Sequence, residues 1–352
     1  MAIIYITDQK STLSRDGSNF IVLKDGTVVR TVDSSETEQI ILTGSIRLTP
    51  SAINLITGKG IDTVFLTITG RYKGRIVSRD HKNIILRRAQ MRKTDDEKFK
   101  ETMVRKIVKG KVFNLRMLLR RRNREIKSPG VTRAVHQLRA LLSSLDADHP
   151  VEKTRGFEGR ASAVYFGCFG ELITAGNFTF TGRNRRPPRD PVNAVLSFTY
   201  TLLMNKVLDA VQQAGLFPDA GFLHEDAYGR PSLALDLMEE FRPVLADTLV
   251  LRLINKQTIK LEDFYFNEDA FPLPDENSEI SRDGFDPKKY PVLLTPEGRK
   301  KLLINWDRQL NTPVYYPQPG KRHTCKDIIL EQARLAARHI QEKDDYTPFQ
   351  TR

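Results

Sequence analysis

DDEKFKETMVRKIVKGKVFNLRMLLRRRNR, residues 95–124, is the stretch that decides the architecture. Phe99, Met103, Ile107, Val108, Leu115, Leu118 and Leu119 recur at spacings of three and four, as on a helix with one face turned to a core. Cations crowd the other positions. Between residues 86 and 127 sixteen basic residues face five acids, in a chain with 56 Lys+Arg and 43 Asp+Glu. This short stretch therefore carries most of the net charge of +13. A helix buried along one side and cationic along the other suits the tracking of phosphates, although a solvated face gives the same pattern.

Towards the N-terminus the period falls to two. The runs 2–7, 19–23, 27–32, 39–42 and 63–69 hold β-branched residues between Asp-Gly or Gly turns, and Thr49-Pro50-Ser51 opens one capped helix among them. That spacing predicts a small sandwich or barrel. Towards the C-terminus the period stays near 3.6, with helices expected over 95–124, 128–145, 156–169, 191–214, 232–254, 295–310 and 325–342. Asp190 caps the fourth of these, Pro191 suits its first turn and Gly215 ends it. The fold expected is α+β, with a small N-terminal β-rich domain (1–85) and a larger all-α catalytic domain (86–352). From 262 to 286 nine acids accompany one base, Arg282, around Pro272 and Pro274. That predicts an exposed acidic loop or insertion near 262–290.

Several classes are excluded. Cys168 and Cys325 are the only cysteines and lie far apart, which leaves no disulfide framework and no CxxC zinc module and fits a reducing cytoplasm. There is no Gly-Lys-Ser/Thr phosphate loop and no Gly-x-Ser-x-Gly elbow, and Gly58-Lys59-Gly60 is too short for a dinucleotide fingerprint. His323 and Cys325 read as structural. No signal-peptide pattern opens the chain, and the apolar stretch 194–204 is too short to cross a bilayer, so a cytoplasmic protein without a membrane partner is expected. The surplus charge points to a polyanion. A second basic cluster, Arg183, Arg185, Arg186 and Arg189 beside Pro187 and Pro188, makes nucleic acid the expected one.

Two segments carry chemistry. In Arg155-Gly156-Phe157-Glu158-Gly159-Arg160 an acid lies between two glycines near a predicted helix start, where the helix dipole alone would favour it. Gly221-Phe222-Leu223-His224 precedes Leu235-Asp236-Leu237-Met238-Glu239-Glu240-Phe241-Arg242-Pro243. Asp236 and Glu239 are three apart and share a helical face, with Glu240 at its edge. Acids on so apolar a helix need a cation to offset desolvation. Arg242 is one source. A divalent ion is another, because Mg2+ and Mn2+ take carboxylates and Mn2+ accepts an imidazole such as His224.

Taken in order, these segments resemble the universal CRISPR-associated endonuclease/integrase family of spacer acquisition. Asp190-Pro191-Val192-Asn193-Ala194 and, more loosely, Leu48-Thr49-Pro50-Ser51-Ala52 and Lys109-Gly110-Lys111-Val112-Phe113-Asn114-Leu115-Arg116 extend the resemblance over nearly the whole chain. The resemblance implies a metal-dependent DNA endonuclease/integrase that inserts spacers into a CRISPR array by phosphoryl transfer, with a DNA 3′-hydroxyl or water as nucleophile. It implies Glu158, His224 and Glu239 as ligands of Mg2+ or Mn2+, Asp236 as a further catalytic acid, and Asp in place of Glu239 in some relatives. Tyr165, Asn193 and Ser197 are weaker candidates for lining the site. The implied partners are double-stranded DNA (spacer precursor and repeat array), a second copy in a homodimer, and a small ferredoxin-like CRISPR adaptation protein. Arg105, Arg116, Arg120, Arg121, Arg124, Arg183, Arg185, Arg186 and Arg189 are the candidates for DNA contact. Two other readings are a non-catalytic basic DNA-binding scaffold and a transposon-borne integrase of the same superfamily.

Overall fold

The β-branched runs build the first of two units, 1–82, and the helical remainder builds the second, 83–352. The computed structural model describes residues 2–68, 70, 72–76, 83–184, 187–265 and 292–351. The first unit holds β1 (Ala2–Ile6), β2 (Thr12–Asp16), β3 (Asn19–Lys24), β4 (Thr27–Asp33), β5 (Thr37–Thr43), β6 (Arg47–Leu48), α1 (Pro50–Lys59), β7 (Asp62–Leu66) and β8 (Tyr72–Ile76). They form two four-stranded sheets, β1-β5-β7-β8 and β4-β3-β2-β6. Ile4, Ile6, Ile40 and Leu42 of the first sheet, Leu13, Phe20 and Val22 of the second, and Ala52, Leu55 and Ile56 of α1 share one core.

A plain sandwich or barrel is too simple a description. β1 pairs with β5, and β5 with β7, in parallel. Parallel neighbours need crossover connections, and α1 supplies the one between β5 and β7. The sequence pattern missed β2 and β8 because their faces are too polar to alternate cleanly.

In the second unit α3 (Glu97–Ile126) is the helix expected over 95–124, and α2 (Ile84–Asp95) precedes it where no helix was expected. Asp96 divides them: its carboxylate accepts from the Phe99 amide at 3.1 Å and caps α3. Next come α4 (Pro129–Ser144), α5 (Val151–Phe169) and α6 (Pro191–Gln213), the last capped by Asp190 as expected. α6 is long and apolar enough to cross a bilayer, yet most of it is buried inside this unit, as befits a core helix. The helix expected over 232–254 is broken into α7 (Ser232–Met238), a π-helical turn (Arg242–Asp247) and α8 (Thr248–Asn255). Pro243 lacks an N–H and cannot continue the α-helical ladder.

β9 (Phe264–Tyr265) pairs antiparallel with β10 (Leu293–Leu294), so the acidic stretch leaves and returns at one ladder; most of it lies outside the described residues. α9 (Pro296–Asn311), the hairpin β11 (Pro313–Tyr316) and β12 (Lys321–Thr324), and α10 (Cys325–Ile340) complete the chain.

Candidate active site

Two elements of the helical unit bring acids to one place, and a third brings a cation. α5 begins at Val151, so Glu158 stands two turns inside the helix and not at its positive end. The dipole therefore does not account for it; a cation does. Glu158 Oε1 meets the ammonium of Lys111 on α3 and accepts from Ser162 Oγ at 2.9 Å. The same ammonium lies 2.6 Å from Glu239 Oε2, just past the end of α7. Glu239 Oε1 lies 3.1 Å from Arg242 Nη2. Burial alone would raise the Glu239 carboxyl, but Arg242, Lys111 and His224 outweigh it and hold its pKa at about 2, so Glu239 is ionised.

Exposure separates the two carboxylates. The Glu239 side chain is 3% exposed and that of Glu158 27%, so the pair opens to solvent on the α5 side. Despite its closeness to Lys111, Glu239 Oε2 is buried with no donor at a hydrogen-bonding angle. The cation it faces is the Lys111 ammonium, 2.6 Å away.

Asp236 does a different job. It is fully buried, and each of its oxygens accepts twice. Oδ2 takes the amides of Phe222 (2.6 Å) and Leu223 (3.0 Å); Oδ1 takes the His224 amide (2.9 Å) and faces His224 Nδ1 at 2.7 Å. With Nδ1 committed to the carboxylate, Nε2 is the imidazole nitrogen left for a ligand. Asp236 thus folds the 221–224 loop onto α7 and orients His224, with no face left for substrate. Gly221 permits this close approach: a Cβ there would stand 2.7 Å from that of Ser232. Arg155 ties the loop to α5, donating to the Leu223 carbonyl at 2.7 Å and to Glu225 at 2.7 Å.

Among the described residues no three His, Cys, Asp or Glu side chains stand together as a finished metal cage. Two carboxylates share one ammonium, and His224 is tied to Asp236 beside them. The donor chemistry still suits a hard divalent ion: two carboxylates that face one cation, and an oriented imidazole.

Behind Glu239 the chain is strapped down. Glu240 is buried and accepts from Gln332 (3.0 Å), Tyr346 (3.1 Å) and the Phe349 amide (2.7 Å), while Asn114 joins the Glu240 and Phe349 carbonyls. Burial outweighs these bonds and lifts the Glu240 carboxyl to about 8, against an ordinary 4.5. The folded chain therefore keeps a proton that the unfolded chain releases. The contribution of Glu240 to stability is flat below pH 4.5, falls as pH rises towards 8 by up to about 1.4 kcal/mol per unit, and is flat again above. Glu240→Gln should flatten that part of a plot of Tm against pH, and an unchanged slope would contradict a neutral Glu240.

Tyr165, Asn193 and Ser197 belong to a neighbouring network, which Arg242 over the Tyr200 ring links to Glu239. Tyr165 is buried and donates to Asp247 at 2.9 Å, as does Tyr200 at 2.7 Å; burial first, only partly offset by these bonds, raises Asp247 to about 6. Asn193 is buried in the Asp190 cap. Arg183 turns inward, donating to Asn193 at 2.8 Å and Ser197 at 3.1 Å over the Tyr200 ring. Of the basic candidates, Arg105 pairs with Asp148, Arg121 donates to Thr351 at 2.7 Å, and Arg116 is half-buried. Arg120, Arg124 and Arg189 are exposed, and Arg185 and Arg186 lie outside the described residues. Lys111 went unread as a site residue. The signal was there: it stands four after Ile107 and four before Leu115, a lysine on the buried stripe of α3.

The family described as CRISPR associated protein Cas1 matches residues 4–280. A CRISPR-associated endonuclease Cas1 of Rhodospirillum rubrum is 36% identical over 98% of this chain and 97% of its own length. Among solved structures, a Cas1 protein from Thermotoga maritima superposes with a TM-score of 0.80 at 23% identity, covering 98% of each chain. A casposase bound to integration product superposes with a TM-score of 0.80 at 22% identity, covering 99% of this chain and 92% of its own. At such identities these two likenesses speak for the fold.

Proposed function

This chain belongs to the Cas1 family of CRISPR-associated proteins, and from that premise we propose that it is a divalent-metal-dependent DNA endonuclease and strand-transfer integrase that inserts new spacers into a CRISPR array during adaptation. One observation carries the catalytic reading: carboxylates from α5 and the end of α7 converge on a single cation beside an oriented histidine. A scaffold without catalysis has no need of a buried, fully ionised Glu239 at an opening. The full-length relative at 36% identity is named a CRISPR-associated endonuclease, which favours this reading over a transposon-borne integrase.

Glu158, His224 and Glu239 would hold Mg2+ or Mn2+. When bound, the ion neutralises charge developing on the phosphate and on the attacking and leaving oxygens. The chain's own residues prepare for that. Arg242 keeps Glu239 anionic, Asp236 fixes the tautomer and direction of His224, and Glu158 stands at the opening where a phosphate would arrive. With a DNA 3′-hydroxyl as nucleophile, a phosphodiester forms to the incoming strand and the former 3′-oxygen leaves; with water, the result is hydrolysis. We assign the work to the cytoplasm, in a homodimer with a small ferredoxin-like adaptation partner, on double-stranded spacer precursor and repeat DNA.

The test is cleavage of labelled duplex DNA by purified protein in Mg2+ or Mn2+, with a chelator in parallel. Product that forms equally in chelator would overturn the metal reading. The DNA surface has its own test. Replacing Arg120, Arg121 and Arg124 with Ser should lower the slope of log affinity against log salt by about 0.9 for each lost phosphate contact. Arg121 contributes least because it is tethered to Thr351. An unchanged slope would move the footprint away from α3.

A further inference from the structure

Lys111 occupies a position where the helical pattern calls for a hydrophobe. Only 5% of it is exposed, yet its ammonium sits at the meeting point of two carboxylates from separate elements. A buried ammonium without partners is costly, and so are two carboxylates pressed together; here each offsets the other. Arg242 already serves Glu239 Oε1. Lys111 takes the other side, which Glu158 and Glu239 both face. That is the side a divalent ion would use. A doubly charged ion and an ammonium on the same pair of oxygens repel each other, so the two occupancies exclude one another.

We propose that Lys111 is a resident ammonium that holds Glu158 and Glu239 together in the metal-free protein and is displaced when a divalent cation binds. The inference rests on the reading of Glu158 and Glu239 as metal ligands, and goes beyond it by making metal affinity the outcome of an internal competition. It also explains how two carboxylates from separate elements can stand side by side at an opening. The site is held in register by the chain's own charge.

The test is a calorimetric titration of Mn2+ into the full chain, its Lys111→Met variant and its Glu239→Gln variant. Lys111→Met should bind Mn2+ about tenfold tighter or more, since it has no ammonium to displace, and Glu239→Gln should lose binding. If Lys111→Met binds Mn2+ no tighter than the unaltered chain, the displacement is wrong while the metal reading stands. If the unaltered chain binds no Mn2+ at all, both fail.

Lys111→Met leaves two carboxylates facing each other and risks misfolding without metal, so a second measurement uses the unaltered chain. The rate at which an N-hydroxysuccinimide ester acylates Lys111, followed by mass spectrometry of the peptide, should rise severalfold in saturating Mg2+. A Lys111 rate unaffected by Mg2+ would overturn the proposal.

Discussion

Alanine at Glu158, His224 or Glu239 should each reduce metal-dependent cleavage and strand transfer by about 10^3-fold or more, with duplex DNA affinity changed little. The effect is large because ligands of one ion act as a unit, and the loss of any one disables the rest. Affinity should survive, because on the proposed reading it comes from distributed lysines and arginines. Removing Glu239 also leaves Lys111 and Arg242 with less counter-charge, so its alanine variant should lose some Tm as well. Glu239→Asp keeps the charge on a shorter arm and should retain far more activity than Glu239→Ala. Activity and filter-binding affinity on the same preparations check this. Full activity in any alanine variant would remove that residue from the ligand set.

Asp236→Asn should be nearly as damaging, by a different route. All four contacts of Asp236 come from nitrogen donors: three backbone amides and His224 Nδ1. An asparagine of the same size places an NH2 group against at least one N–H, whichever way it turns. The cost to stability should be about 1–3 kcal/mol for a buried donor left unpaired. Activity should fall by about 10^2- to 10^4-fold, because a histidine freed from its carboxylate adopts the wrong tautomer or direction. A role confined to folding would leave metal affinity in the surviving folded protein unchanged, whereas loss of His224 orientation weakens it. Titration of activity with Mn2+ separates the two. Activity within a few-fold of the unaltered chain would contradict the positioning role.

Much of this was legible in the residues, for identifiable reasons. α3, α4, α6, α9 and α10 carry both an apolar stripe and cap residues, so local chemistry and tertiary burial agree. The segment from 232 to 254 misled because its apolar run continues through Pro243, and periodicity alone does not register a missing N–H. In the first unit the parallel pairing of β1, β5 and β7 depends on contacts distant in sequence, which alternation within a strand does not encode.

The site was half legible. Glu158, His224, Asp236 and Glu239 stood out as a pattern of acids and a histidine, but spacing could not say which acid faces solvent. Asp236 and Glu239 lie three apart on one helical face, yet one is saturated by backbone amides and the other is held by distant cations. Lys111 lies 47 residues before Glu158 in sequence, and only the packing of α3 against α5 brings its ammonium there. Charge counted along the chain made it one cation among sixteen.

The proposed function turns on phosphoryl transfer to a DNA 3′-hydroxyl at the Glu158–His224–Glu239 site. The most direct measurement is covalent joining of a labelled donor duplex to a target carrying the repeat, with donors ending in a 3′-hydroxyl or a 3′-deoxy nucleotide. Joined product is expected only from the 3′-hydroxyl donor, only with Mg2+ or Mn2+, and none with Glu239→Ala. Joined product from the 3′-deoxy donor, or joining that persists in chelator, would contradict it.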